Sequence, residues 1–158
     1  MRTWVLSGVC AGAVLAPGTA VAAPVRVAAP APAADVALHG SAVLDADRVE
    51  VRLTPSNEGP GAVTDATVRL RWSVALAGRQ ELPAGCLRAD ERTVLCATGE
   101  LAADAAGEQR TVPVRLAELP AEVTLDIDLV WVGSAVDANR ANDRLTVSVL
   151  ATGDPYVF

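Results

Sequence analysis

The chain has 158 residues, a formal net charge of −6 and 51% hydrophobic residues, which fit one ordinary domain and exclude disorder of the whole chain. The acidic balance argues against a nucleic-acid-binding protein, which needs a basic surface. The single histidine, His39, excludes metal sites built from several histidines.

The N-terminal residues predict an export signal. Arg2 is the only charge before an apolar run over residues 4–15, which is too short to span a bilayer but fits a signal peptide. Small residues at Ala20 and Ala22 predict cleavage after Ala22, which makes residues 1–22 the signal and leaves no membrane anchor. Lipidation at Cys10 is the alternative, although the residues before it match a lipobox poorly. We therefore expect a secreted, extracellular protein. Whether it stays associated with the cell surface is left open.

Three further segments follow the signal. Residues 23–34 are rich in proline and alanine and predict an extended linker. A folded domain is expected over residues 35–151. The tail, residues 152–158, contains Tyr156 and Phe158, and a frayed chain end is the default expectation for it.

Hydrophobic residues occupy every second position in several stretches of the domain. Between Val123 and Trp131, for example, apolar side chains alternate with Thr124, Asp126 and Asp128. This period is typical of a strand with one buried and one solvated face. Seven such strands, separated by Gly, Pro and Asn turns, predict an all-β, immunoglobulin-like β-sandwich. The predicted strands cover about 36–44, 49–53, 68–76, 93–97, 112–116, 123–131 and 145–149.

Charges support one pairing in this arrangement. The third and sixth predicted strands are neighbours in an immunoglobulin-like sheet. Their solvated faces carry Arg69 and Arg71 on one strand, and Asp126 and Asp128 on the other. Opposite charges across a strand pair stabilise it by about 0.2–1 kcal/mol each, so we expect cross-strand ion pairs here.

Two tryptophans and one proline give further tests of the arrangement. Trp72 and Trp131 lie at core-facing positions of the third and sixth predicted strands, so both are expected in the core. No exposed aromatic is then expected in the body of the domain. Pro113 lies inside the fifth predicted strand, which must be an edge or must turn the missing donor outward.

Cys86 and Cys96 remain after signal cleavage. An even number of cysteines in an exported protein predicts a disulfide. The two residues enclose a short segment, so the bond would fasten the chain locally and contribute about 2–3 kcal/mol.

Several short motifs occur in a characteristic order. They are Asn57-Glu58-Gly59-Pro60-Gly61-Ala62, Leu82-Pro83-Ala84-Gly85-Cys86, Thr93-Val94-Leu95-Cys96, Gly99-Glu100-Leu101 with Gly107, and Asp137 and Asn142 before Leu145-Thr146-Val147. Together they resemble an immunoglobulin-like repeat of bacterial surface proteins, called domain of unknown function eleven and akin to the CARDB domain. A single copy is present, and Asp143 stands where the family has a second asparagine. The resemblance implies an immunoglobulin-like fold outside the cell and no general enzymatic activity.

Two acidic groups are candidate sites. Asp126 and Asp128 share a strand face, and paired carboxylates serve in glycoside hydrolysis. The competing interpretation, which we favour, is a solvated face balanced by arginines. The loop over residues 137–143 has four oxygen-bearing side chains that calcium accepts, but the same residue types also make turns. These weak calcium candidates are Asp137, Asn139, Asn142 and Asp143.

The pattern as a whole predicts a secreted, non-catalytic interaction or structural module of the bacterial cell exterior. No enzyme activity and no cofactor is expected, and the partner would be an extracellular protein or glycan. The alternative is a small-molecule carrier, which would need a hydrophobic cleft of about several hundred Å³. A hydrolase that uses the surface carboxylates is a third, weaker hypothesis.

Overall fold

The computed structural model describes residue 31 and residues 33–158. The predicted signal peptide, its cleavage site and most of the predicted linker lie outside these residues. All regular elements of the described part are strands. They are β1 (Ala33–Ala34), β2 (Val36–Asp45), β3 (Arg48–Asn57), β4 (Thr67–Trp72), β5 (Cys86–Arg88), β6 (Thr93–Ala97), β7 (Ala105–Ala106), β8 (Arg110–Arg115), β9 (Glu122–Trp131), β10 (Val136–Asp137), β11 (Arg144–Leu150) and β12 (Tyr156–Val157).

The long strands form two antiparallel sheets, so the predicted all-β sandwich is confirmed. One sheet has the order β11-β9-β4-β6-β5. The other has the order β12-β2-β3, with β7 and β8 pairing in turn with the far side of β3. A small parallel pair joins β1 to β10. The fourth predicted strand, β6, lies beside β4 and so belongs to the sheet that contains β9 and β11.

The core lies between the inner faces of the two sheets. Alternating residues of each strand point into it, as the period-two pattern predicts. Trp72 is 1% exposed and is the largest buried side chain, which confirms its predicted place in the core. The other residues of this core include Leu44, Val49, Val51, Leu53, Val68, Leu70, Val94, Val112, Leu125, Ile127 and Val149.

The predicted core position of Trp131 is wrong, because its side chain is 50% exposed. Val68 pairs with Leu129 but Thr67 pairs with Trp131, so Val130 is an extra residue in β9. Such a bulge breaks the alternation and turns the following residue to the other face of the sheet. Trp131 therefore lies on the solvent side, opposite Thr67.

The side chain of Asn57 organises the end of β3. Its Oδ1 accepts from the backbone N–H groups of Asp35 (3.2 Å) and Gly59 (3.1 Å). Its Nδ2 donates to the carbonyls of Gly61 (2.8 Å) and Ala102 (3.2 Å). The asparagine that opens the first recurring motif thus has a structural role, since it joins three separate segments of backbone.

Pro113 lies on an edge strand, as predicted. Its strand, β8, pairs only with β3. The N–H of Leu116 donates to the carbonyl of Asp47, directly before β3. Because the backbone groups of successive residues point to opposite sides of a strand, the nitrogen of Pro113, three residues earlier, faces away from β3. The amide of Gln80 covers the same edge by accepting from Arg115 N–H (2.9 Å) and donating to Arg115 carbonyl (2.9 Å).

Both ends of the described chain belong to the fold. Ala34, at the end of the predicted linker, is 1% exposed and pairs with Asp137. The predicted tail is not frayed at its end. Tyr156–Val157 pair with β2, and Phe158 and Gly40 exchange two backbone hydrogen bonds of 3.0 Å. A Cβ at Gly40 would collide with the backbone oxygen of Arg52 on β3 and would lie 2.9 Å from the ring of Phe158, so glycine lets both the neighbouring strand and this ring come close.

Candidate functional site

The solvent side of the five-stranded sheet carries one residue from each strand in a single row. The paired positions run from Leu87 through Leu95, Arg69 and Asp128 to Arg144. We call this side of the sheet the outer face. It brings the predicted carboxylates and arginines together on β4, β9 and β11.

Asp128 is at the centre of the row and is held by two arginines. Arg69 Nε and Nη2 donate to its Oδ2 at 3.1 and 2.7 Å, and Arg144 Nε donates to its Oδ1. The Asp128 side chain is 7% exposed, whereas those of Arg69 and Arg144 are 40% and 74% exposed. The charges that reach solvent in this row are therefore the positive ones.

The ionisation of Asp128 follows from these contacts. Burial acts to raise its pKa, but the hydrogen bonds from Arg144 and Arg69, together with their charges, outweigh burial and hold the pKa below its usual value. A general acid of a glycosidase needs the opposite shift. Asp128 is thus suited to a structural ion pair and unsuited to donating a proton.

The second predicted charge pair has the expected register but a different partner. Arg71 lies directly opposite Asp126, which confirms that β4 and β9 are neighbours. The described ion pairs do not include these two residues. Asp126 Oδ1 instead accepts from the hydroxyl of Thr146 at 2.8 Å.

Apolar side chains form one end of this row and continue beside its charged residues. Trp131 is 50% exposed, Val130 is 45% exposed and Leu87 is 57% exposed. Leu95 and Ala97 on β6 are half-buried between them and point to the same side. These five residues form what we call the apolar band of the outer face. The exposed Trp131 contradicts the expectation that the body of the domain exposes no aromatic residue.

The predicted calcium candidates are only partly brought together. Asp137 Oδ2 accepts from Val36 N–H (3.0 Å), and its Oδ1 accepts from Asn139 N–H (2.9 Å). Asn142 Nδ2 donates to Asp35 Oδ1 at 2.8 Å. Asn139 is exposed and contributes only backbone to these contacts. The loop thereby ties the start of β2 to β10.

Asp143 is the carboxyl of this loop with the most unfavourable surroundings. Burial, followed by the negative charge of Asp137, raises the pKa of Asp143, and Arg140 acts in the opposite direction. Arg140 Nε lies 3.6 Å from Asp143 Oδ2, but its side chain is 78% exposed. Among the described residues, no group of three or more His, Cys, Asp or Glu side chains has an arrangement that could hold a metal ion.

A groove of about 770 Å³ opens on the solvent side of the other sheet, next to the loop before β5. A carrier of an apolar ligand needs a mostly hydrophobic lining. Seven of the twelve residues that line the groove are charged. The groove therefore has the volume for a small ligand but not the hydrophobic lining that a carrier of an apolar ligand needs. The charged residues that line it are Asp45, Arg48, Glu50, Arg52, Arg79, Glu81 and Arg115.

Cys86 and Cys96 form the predicted disulfide. The two residues are directly opposite each other on β5 and β6, so the bond fastens the edge strand that carries Leu87. His39, the single histidine, is exposed.

Sequence reasoning missed two residues of the outer face. The predicted cross-strand ion pairs do not include Arg144, although it directly precedes the last predicted strand and lies opposite Asp128. The alternation places Trp131 in the core. The signal that could have corrected this is the unbroken apolar run from Leu129 to Val132, which departs from strict alternation and is compatible with a bulge.

Comparison of the chain with known protein families, with curated proteins and with solved structures gave no match. The described residues contain no helix of the length and apolarity needed to cross a membrane.

Proposed function

We propose that this protein is a secreted, non-catalytic interaction module of the bacterial cell exterior, and that the outer face is its binding surface. The observation that carries the proposal is the half-exposed Trp131 on the outer face, together with the exposed side chains of Leu87 and Val130. Trp and Arg are the residue types that most often dominate the energy of protein interfaces.

The neighbouring arginines support this assignment of the surface. Arg69 and Arg144 are fixed by Asp128, so each holds one orientation while part of its guanidinium remains exposed. Groups that are already ordered lose less conformational entropy when a partner binds. Two arginines that are held in one orientation beside the apolar band are therefore well suited to binding a partner.

The compartment rests on separate features. The disulfide is a bond that persists in oxidising environments, which supports export. The apolar N-terminal run and its small-residue cleavage pattern support the same compartment. The resemblance to bacterial surface repeats is consistent with both.

The test is binding of the purified protein to an array of bacterial envelope glycans and to an envelope protein fraction. We expect binding that Trp131→Ala abolishes and that Leu119→Ala leaves unchanged. Leu119 is 76% exposed but lies on the turn between β8 and β9, at the far end of β9 from Trp131. Equal binding by the two variants would reject the outer face as the surface, and turnover of a substrate would reject the non-catalytic function.

The alternative function is that of a small-molecule carrier, and the groove of about 770 Å³ is the observation that favours it. Its arginines and carboxylates would select a polar, charged ligand. Co-purification of such a ligand, lost on substitution of Arg48 and Arg79 by Ala, would favour the carrier.

A further inference from the structure

The strand β11 is a long open edge. It terminates the five-stranded sheet and pairs with β9 alone. Its seven residues include no proline and no lysine. An edge strand with unpaired backbone groups is a template for pairing with another chain.

The direction of its backbone groups can be read from the hydrogen bonds that flank it. Asp143 carbonyl accepts from Leu129 N–H, and Ala151 N–H donates to Ala121 carbonyl, so odd-numbered residues of this segment face β9. In an antiparallel ladder the residues between them face away. The N–H and C=O groups of Arg144, Thr146 and Ser148 therefore point to the open edge, and no hydrogen bond occupies them in the described part of the chain.

The other edges are short or protected. The edge of β8 has Pro113, which lacks a donor, and is covered at Arg115 by Gln80. The strand β5 has three residues and β12 has two. Among the described strands, β11 is thus the long edge without such a device.

We infer that β11 pairs antiparallel with β11 of a second copy of this chain, about a two-fold axis at Val147. In this register Thr146 lies opposite Ser148 of the other copy, and the two residues exchange both of their outward backbone hydrogen bonds. Leu145 lies opposite Val149 on the inner side. Polar residues meet polar residues and apolar residues meet apolar ones, as an interface between identical surfaces requires.

The same register also keeps like charges apart. Arg144 lies opposite Leu150 of the second copy, and its guanidinium stays on Asp128 of its own copy. The two Arg144 side chains are at opposite ends of the pair. The pairing continues each sheet into one of ten strands and places both outer faces on the same side.

The first test uses the unmodified protein. Sedimentation over a concentration series should show a monomer–dimer equilibrium. Amide hydrogen exchange should show protection of the N–H groups of Thr146 and Ser148 that increases with protein concentration. A monomer at every concentration, with fast exchange of these two amides, would overturn the inference.

A matched pair of variants locates the interface. Ser148→Pro removes an outward donor without removing a bond of the β9–β11 ladder, whereas Ser148→Ala keeps the donor. We expect loss of the dimer in the first variant and an unchanged dimer in the second. Thr146→Pro removes the other outward donor and should abolish the dimer as well, and retained amide protection of β9 in either variant distinguishes loss of the dimer from loss of the fold. A dimer unaffected by Ser148→Pro and Thr146→Pro would place the interface elsewhere and contradict the proposal.

Discussion

Asn57 is the residue whose side chain joins the largest number of backbone segments. It is 1% exposed and makes four hydrogen bonds to backbone groups. Asn57→Ala would leave buried donors and acceptors without partners, so we expect a loss of about 2–4 kcal/mol in the free energy of unfolding, measured in urea. Asn57→Asp keeps the acceptor but sets a buried carboxylate oxygen against the carbonyls of Gly61 and Ala102, so at neutral pH it should lose at least as much. A change within about 0.5 kcal/mol for the alanine variant would contradict this role.

Asp128 gives a prediction for acidic pH. Its folded pKa lies below the unfolded value of 3.8, so it contributes stability above that value that is lost as the pH falls through the folded pKa. Asp128→Asn should therefore cost about 1–3 kcal/mol at neutral pH, because charged hydrogen bonds are lost. The difference from the unmodified protein should shrink when unfolding is measured below about pH 4.

Asp143 should behave with the opposite sign. Its pKa is raised above 3.8 by burial and by the charge of Asp137, so its ionised form destabilises the fold above the folded pKa. Asp143→Asn should raise the melting temperature at neutral pH, and the gain should vanish as the pH falls below the unfolded pKa. Asp154→Asn, at an exposed position, is the control and should change little. A lower melting temperature for Asp143→Asn at neutral pH would contradict the assigned surroundings of this carboxyl.

At the scale of the elements, the disulfide decides whether β5 stays on the sheet. The strand has three residues, and besides its pairing with β6 the side chain of Arg88 anchors it by donating to backbone carbonyls that include those of Leu76 and Ala77. The disulfide adds a covalent bond to these contacts. The double variant Cys86→Ser, Cys96→Ser should lose about 2–3 kcal/mol of unfolding free energy through the greater entropy of its unfolded chain. The reduced, unmodified protein should have the same urea midpoint of unfolding as the variant. If the reduced protein instead had the midpoint of the oxidised protein, the estimate would be refuted.

The elements also show what a sequence can and cannot predict. Alternation predicts the long strands because burial of one sheet face requires it, and the charges of Arg69 and Asp128 correctly predict which strands are neighbours. The bulge at Val130 depends on hydrogen-bond register, which hydropathy does not encode. The short strands β1, β7 and β10 have two residues each, too few to show a period. Because of the bulge at Val130, the exposed Trp131, and with it the apolar band, could not be predicted from alternation alone.

At the scale of the whole molecule, the C-terminal residues complete the sheet that contains β2. Composition does not predict this, because the contact brings Phe158 against Gly40, which is far away in sequence. Tyr156 and Phe158 pack against the core, whereas Val157 between them is 82% exposed. The aromatic residues of the tail are therefore part of the folded domain, not a free extension for a partner.

This arrangement predicts different costs for neighbouring positions. Phe158→Ala should lower the free energy of unfolding by about 1–3 kcal/mol, less than for a fully buried phenylalanine because the ring is half-buried. Val157→Ala, on the outward side of the same strand, should change it by no more than about 0.5 kcal/mol. Urea unfolding of both variants measures the difference. Equal effects at the two positions would mean that the tail does not pack on β2, since a docked strand must distinguish its inner from its outer side chains.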